Sequence, residues 1–459
     1  NTFNIYYLGE STMVGEPYAP NLSIPDMIWY QIKPQASAKD LKQINFAREG
    51  KDINYSLTIL KTLVKNKGFS YPSLFVIYSG HNEFLRYERQ ESELYALPKI
   101  IQPFFSSRFM KMLLRRLMIK AGIYPLSLDK RNFFDDPLLD VNYDQVIRDY
   151  NKTLEKMVDI TKAEGIPLVI FTPVGNYSDW EPNRSVYQGQ SSQKTEFKQL
   201  MEDASKALRN KEYETAIVKY RQALLIYAHF AETHYLLGKA YEGAGDFEAA
   251  WQAYVKAVDE DKMPMRATSR QNNFIRLLYD GQQCFVVDSV PILRAADPER
   301  LIGKNLMSDG HHPNLRGYLA LSDGLYSVIT GILKKSGQVK IDIQKNPIED
   351  LSAIVLHNEF DVCISRGRWI TKSATWRYDP SNRLTWSKEY FLKAAQLNPK
   401  RCESYLGLAI IQFLMRNTKK AESYLSIADR LNHQETDQYL RIRWVRAVMQ
   451  RAYNIASAN

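Results

Sequence analysis

Alternation constrains this chain most. Short apolar runs, each emptying into a polar turn, are separated by stretches with helical spacing. The runs "NIYYL" at 4–8, "QINFA" at 43–47, "SLFVIYSG" at 73–80, "IPLVIFTP" at 166–173 and "QQCFVVDSV" at 282–290 read as strands. Between them, "PDMIWYQIK" at 25–33 and "INYSLTILKTLVKNKG" at 53–68 read as helices, the second with Ile53, Leu57, Leu60 and Val64 on one stripe. A further helix over 143–165 aligns Val146, Tyr150, Leu154 and Met157, and a last one spans 314–335. Strands that alternate with helices predict a parallel sheet covered on both faces. Ligands of such sheets bind at the carboxyl ends of the strands.

Two segments interrupt the pattern. Residues 88–140 carry "FFSSRFMKMLLRRLMIKAG", apolar and basic together, which reads as an insertion: a surface helix packed on the domain, a lid, or a membrane-surface helix. The second interruption repeats. From 197 to 264 matching positions fall 34 residues apart: Ala204 with Gly238, Ala207 with Tyr241, Ala216 with Ala250, Tyr220 with Tyr254, Ala223 with Ala257. The same spacing returns near the end, where Phe391 matches Leu425 and Ala394 matches Ala428, and Pro399 marks a stop. A small residue on one helix lets a large one from its partner pack close. Period and pattern resemble the tetratricopeptide (TPR) repeat. The tyrosines 213, 220, 235, 241 and 254 fall at helical spacing and read as core; His229 and His234 read as packing or surface residues.

Four polar blocks stand out: "GEST" at 9–12, "NFAREG" at 45–50, "SGHNE" at 79–83 and "SDGHHPN" at 308–314. The first three follow strands one to three, and the fourth follows strand five and opens the last helix. All four therefore share one sheet edge. A serine hydroxyl is a weak nucleophile until a neighbouring base takes its proton. Histidine suits that task, and an Asp three residues earlier can hold its tautomer. An oxyanion needs donors aimed at it, here the backbone N–H groups of Ser11 and Gly50 and the amide of Asn82. Taken alone, Ser11 could equally cap a helix, with Thr12 as the other cap; Gly50 and Asn82 could be turn residues. A metal held by Asp309, His311 and His312 would lack further ligands at a recognisable spacing.

In this order the blocks resemble those of the SGNH, or GDSL-type, hydrolases. The resemblance covers about residues 1–190 and 265–335 without the insertions. It implies a flavodoxin-like three-layer α/β domain that hydrolyses or transfers acyl esters without metal or cofactor. Carried over, it implies Ser11 as nucleophile, His312 as base, Asp309 as its orienter, and Ser11, Gly50 and Asn82 as oxyanion donors. His81, Glu83 and His311 stand where they could meet substrate. Two residues depart from the family pattern: Glu10 replaces an Asp before the serine, and Glu83 an Asp after the asparagine.

The expected organisation is a hydrolase-like part at 1–190, inserted repeats at 191–264, its second part at 265–337, and an all-α TPR-like domain at 338–459. The expected function is ester hydrolysis or acyl transfer, O-acetyl esters of carbohydrate or cell-envelope polymer among the candidates, with repeats that bind a protein partner. A non-catalytic scaffold and a membrane-surface lipid esterase are the alternatives. Charge is a weak guide: the net +10 comes without a nucleic-acid motif. Three scattered cysteines make neither a disulfide framework nor a zinc site; Cys284 and Cys363 have apolar neighbours, and Cys402 lies in a more polar stretch. The chain begins with Asn1, not Met, so an upstream signal or anchor and an envelope or periplasmic location are expectations left open.

Overall fold

The structure, a computed structural model, describes residues 3–19, 22–32, 41–66, 72–84, 142–336, 359–374 and 380–440. The basic, apolar part of the 88–140 segment lies outside them. The described residues form two compact units, 3–336 and 359–440.

The first unit is built on five parallel strands, β1 (Phe3–Gly9), β2 (Leu41–Asn45), β3 (Ser73–Tyr78), β4 (Leu168–Phe171) and β5 (Cys284–Val287), in the order β2-β1-β3-β4-β5. That is the flavodoxin-like order, with its switch point beside β1. All residues of β1, β3 and β4 are buried, as strands covered on both faces require. One face carries Tyr6, Leu8, Phe75, Ile77, Leu168 and Ile170. Against it pack α3 (Ile53–Lys65) through Ile53, Leu57 and Leu60, and α4 (Tyr143–Ala163) through Tyr150, Leu154 and Met157. The other layer contains α2 (Ile24–Ile32) and the long Leu315–Ser336 helix, which touch each other and the edge strands β2 and β5.

Element ends shift by a few residues from the sequence reading, and two differences have a clear cause. Strand β2 runs two residues earlier than 43–47, because the Asn45 side chain accepts from the Ala47 N–H at 2.9 Å and turns the chain. The fourth polar block does not follow β5 directly. A helix, Ser289–Ala295, intervenes, with Pro291 tolerated in its first turn.

The inserted repeats are two helix pairs, α5 (Lys194–Arg209) with α6 (Tyr213–Ile226) and α7 (Ala231–Ala244) with α8 (Phe247–Asp259). Small residues admit large ones: a Cβ on Gly238 would sit 2.5 Å from the Tyr254 ring. Tyr220, Tyr235 and Tyr254 are buried, whereas Tyr213 and Tyr241 are half-buried. The base of the insertion is clamped by the buried Asp261 carboxylate, which accepts from the N–H groups of Asn183 (2.7 Å), Arg184 (2.9 Å) and Met263 (3.0 Å). His229 and His234 bond locally at the surface, to Glu260 and the Ala228 carbonyl.

The second unit is all-helical: α12 (Glu359–Ala374), α13 (Ser381–Leu397), α14 (Cys402–Leu414), α15 (Thr418–Leu431) and α16 (His433–Leu440), counting α9 (Ser269–Leu277), α10 (Ser289–Ala295) and α11 (Leu315–Ser336) in the first. Phe391 fills the notch left by Gly367 and Gly407. Cys402, despite its polar neighbours in sequence, is buried like Cys284 and Cys363, and burial pushes all three thiols up. No helix among the described residues is long and apolar enough to cross a membrane.

Candidate active site

Strand β1 ends at Gly9, where φ is +152° and a Cβ would lie 2.3 Å from the Tyr78 carbonyl oxygen of β3. Only glycine lets the two strand ends approach so closely. The chain then turns into α1 (Ser11–Val14), a single helical turn. Glu10, not Ser11 or Thr12, occupies the N-cap, and Ser11 is the first helical residue. Its hydroxyl is therefore free of capping duty. Tyr318 on α11 fastens this turn by donating to the Glu16 carbonyl at 2.7 Å and lying 3.1 Å from that of Thr12.

The "SDGHHPN" block closes on itself: Met307 bridges Pro313, and the Ser308 N–H donates to the His312 carbonyl at 2.7 Å. Inside this loop Asp309, fully buried, accepts from the backbone N–H groups of His311 and His312, each at 2.9 Å. Its Oδ2 stands 2.8 Å from His312 Nδ1. An ionised carboxylate only accepts, so Nδ1 carries the proton and Nε2 is left as an acceptor. His312 Nε2 lies 2.8 Å from Ser11 Oγ, which donates to it across 301 residues of sequence. Ser11 and His312 are each 5% exposed, so the relay is shielded from bulk water yet open at one edge.

The β4 exit loop supports the block from behind. The Asn176 N–H donates to the Gly310 carbonyl at 2.9 Å, and Trp180 packs so closely that a Cβ on Gly310 would lie 2.6 Å from its ring. Sequence reasoning passed over both residues; neither belongs to a polar block, and only their distant partner gives them meaning.

Asn82 sits at the exit of β3, 7% exposed, and its Nδ2 donates to the Lys51 carbonyl at 2.9 Å. An amide nitrogen has two hydrogens, so this bond uses one and aims the group along the rim. Gly50 lies on the neighbouring turn, exposed, with φ +66° and open space where a Cβ would be. The left-handed backbone is thus a sufficient reason for glycine there.

The three other candidates are placed as follows. His81 is buried; its Nδ1 accepts from the Ala267 N–H at 3.1 Å and its Nε2 lies 3.4 Å from the Tyr78 hydroxyl. Burial, with repulsion from a protonated His312 second, pushes its pKa down to about 3, so this ring is neutral. His311 is buried with its ring centroid 5.0 Å from His81 and 4.1 Å from His312. Glu83 Oε1 accepts from the Ile53 N–H at 3.0 Å, holding the first turn of α3. Asp309, His311 and His312 do bring ligand atoms within 4.8 Å of one another, but Asp309 and both His312 nitrogens are engaged in the relay.

Glu10 is the residue whose part the sequence hid. It is 1% exposed, and its carboxylate accepts from the Ser79 hydroxyl, from Gly80 N at 2.7 Å and from Asn82 N at 3.2 Å. Burial raises its pKa to about 7, against the pull of the hydrogen bonds from Ser79 and Gly80.

With this geometry in hand, known proteins of similar structure can be set beside the chain. No family model matches it, and no curated protein does. Among solved structures it is similar to a lipolytic protein of the G-D-S-L family from Veillonella parvula (11% identity, 72% of this chain and 99% of that one, TM-score 0.34). It is also similar to a GDSL-like lipase from Bacteroides thetaiotaomicron (10% identity, 72% and 88%, TM-score 0.29). A TPR protein described as having an unusual peptide-binding site matches at 12% identity over 53% of this chain and 91% of its own, TM-score 0.15. Chemically, a hydroxyl, an imidazole and a buried carboxylate in line make a group that can deliver an alkoxide to an acyl carbon.

Proposed function

We propose that this chain is a serine-dependent ester hydrolase or acyltransferase. The observation that carries the reading is the relay Ser11 Oγ–His312 Nε2 at 2.8 Å and His312 Nδ1–Asp309 Oδ2 at 2.8 Å. Ser11 Oγ attacks the acyl carbon while His312 Nε2 takes its proton, and the carbonyl π pair moves onto oxygen. The N–H of Ser11 and the Asn82 amide receive that charge, with the Gly50 N–H as the third donor. Asp309 stays ionised and stabilises the imidazolium. Collapse of the tetrahedral adduct expels the alcohol, which takes the proton back from Nε2. Water, or a second hydroxyl in transfer, then repeats the sequence on acyl-Ser11. The helix dipole contributes little, because α1 has one turn.

In this reading residues 1–190 and 265–337 form the catalytic domain. The inserted repeats at 191–264 and the helices of 338–459 serve a protein partner or present substrate. An acyl ester of a carbohydrate or envelope polymer is the substrate class proposed. The test is turnover of p-nitrophenyl acetate and labelling by a fluorophosphonate, in wild type and Ser11→Ala, followed by the mass of the adduct. Turnover and Ser11-dependent labelling support the reading; labelling that survives Ser11→Ala, or neither activity in the wild type, sinks it.

A further inference from the structure

The proposed chemistry needs two sets of donors held at a fixed separation, one on the turn after β1 and one on the turn after β3. Preorganised donors lose their effect when displaced by a fraction of an ångström. The sheet ends at Gly9 and Tyr78, with one more ladder bond from the Glu10 N–H to the Tyr78 carbonyl at 3.2 Å, and fixes the strand ends but not the turns beyond them. Glu10 spans the gap. Its backbone carbonyl accepts from Met13 N at 3.0 Å and Val14 N at 3.1 Å, closing the turn that carries Ser11. Its side chain reaches the other turn: Oε1 accepts from the Ser79 hydroxyl and Gly80 N, Oε2 from Asn82 N. Among the described residues no cation pairs with this buried carboxylate, and all its hydrogen bonds go to that one turn. A buried acid without a cation is costly and persists only where its acceptors are fully used.

We infer that Glu10 is a positioning residue, which fixes the Asn82 amide relative to Ser11 and so completes the oxyanion site. The inference rests on the ester reading above. It also explains why the longer acid stands next to Ser11. The carboxylate must extend from the turn after β1 to the backbone N–H groups of Gly80 and Asn82 on the turn after β3. Asn82 then relays the constraint to the Lys51 carbonyl on the Gly50 turn.

Glu10→Gln discriminates, since it keeps the volume and the Oε1 acceptor but sets an NH₂ group against the Asn82 N–H. With the full chain and p-nitrophenyl acetate, we expect kcat to fall about tenfold to a hundredfold at unchanged KM, less than the roughly 10²–10³ of a deleted oxyanion donor. Asn82→Ala and the double variant close a cycle: if Glu10 acts through Asn82, the double variant is no slower than Asn82→Ala alone. Amide hydrogen exchange gives a readout that needs no turnover, and Glu10→Gln should speed exchange at Asn82, which bonds Oε2, while β1 and β4 stay protected. Should Glu10→Gln fail to fold, Ser79→Ala removes one donor and must lower kcat a few-fold at unchanged KM. Wild-type kcat in Glu10→Gln, multiplicative losses in the cycle, unchanged exchange at Asn82, or a neutral Ser79→Ala each overturn the inference. A wild type without turnover or Ser11-dependent labelling instead removes the ester reading, and the inference with it.

Discussion

The two sets of helical repeats use one packing device for different ends. In the insertion Gly238 receives the ring of Tyr254; in the second unit Gly367 and Gly407 receive Phe391. The insertion, however, is fastened into the first unit. The Tyr235 hydroxyl donates to the Ser178 carbonyl at 2.9 Å, Lys239 pairs with Asp179, and Asp261 ties its two ends together. Past the clamp, the chain returns under the candidate site: Ala267 N–H donates to His81, and Gln271 Nε2 donates to the Gly80 carbonyl at 3.0 Å. The helices of 359–440 pack instead on clusters of their own, around Phe391 and around Phe413. The same sequence periodicity thus makes a built-in buttress in one place and a separate module in the other.

Several substitutions would break or sharpen this contrast. The largest effect belongs to the site: Ser11→Ala should lower kcat about 10⁴-fold or more while both units keep their melting transitions. Asp261→Ala comes next. It strips the acceptor from three buried N–H groups and takes from Arg266, 1% exposed and 3.9 Å away, its largest counter-charge. A loss of about 3–5 kcal/mol is expected in the first unit alone, read by denaturant melting. Gly238→Ala and Gly407→Ala form a matched pair. Each gains about 1 kcal/mol of helix propensity but drives a Cβ to within 2.5 Å or 2.2 Å of a buried ring. Overpacking of about 1–3 kcal/mol wins, because both rings are buried. Turnover should fall in Gly238→Ala and stay at the wild-type value in Gly407→Ala; equal effects would erase the distinction between buttress and module.

Near neutral pH the smallest change comes from His81. Its folded pKa lies at about 3, below the ordinary 6.5, chiefly through burial. The neutral ring therefore contributes stability that is complete above pH 6.5 and is lost as pH falls through 3. Thermal melting at pH 7 and pH 4 should show a larger drop for wild type than for His81→Gln; equal drops would mean that His81 is not what acid attacks.

Much of the fold was legible because it depends on local pattern. Apolar runs and helical stripes located all five strands and the repeats, and the spacing of Asp309 to His312 is a local geometry that a tight turn satisfies by itself. The intervening Ser289–Ala295 helix was not legible: seven residues with one proline make too short a stripe. Nor were Glu10, Trp180 and the clamp of Asp261, whose partners lie far along the chain.

By itself, the sequence determined the five strands, the repeat period and the polar residue types gathered in the four blocks, since each follows from near neighbours in the chain. Tertiary structure alone decided that Ser11 meets His312, that Glu10 grips the Asn82 turn, and that one repeat set is anchored beneath the site. Those outcomes depend on how the parallel sheet brings its strand ends to one rim, and on buried donors and acceptors that have no partner until the chain has closed around them.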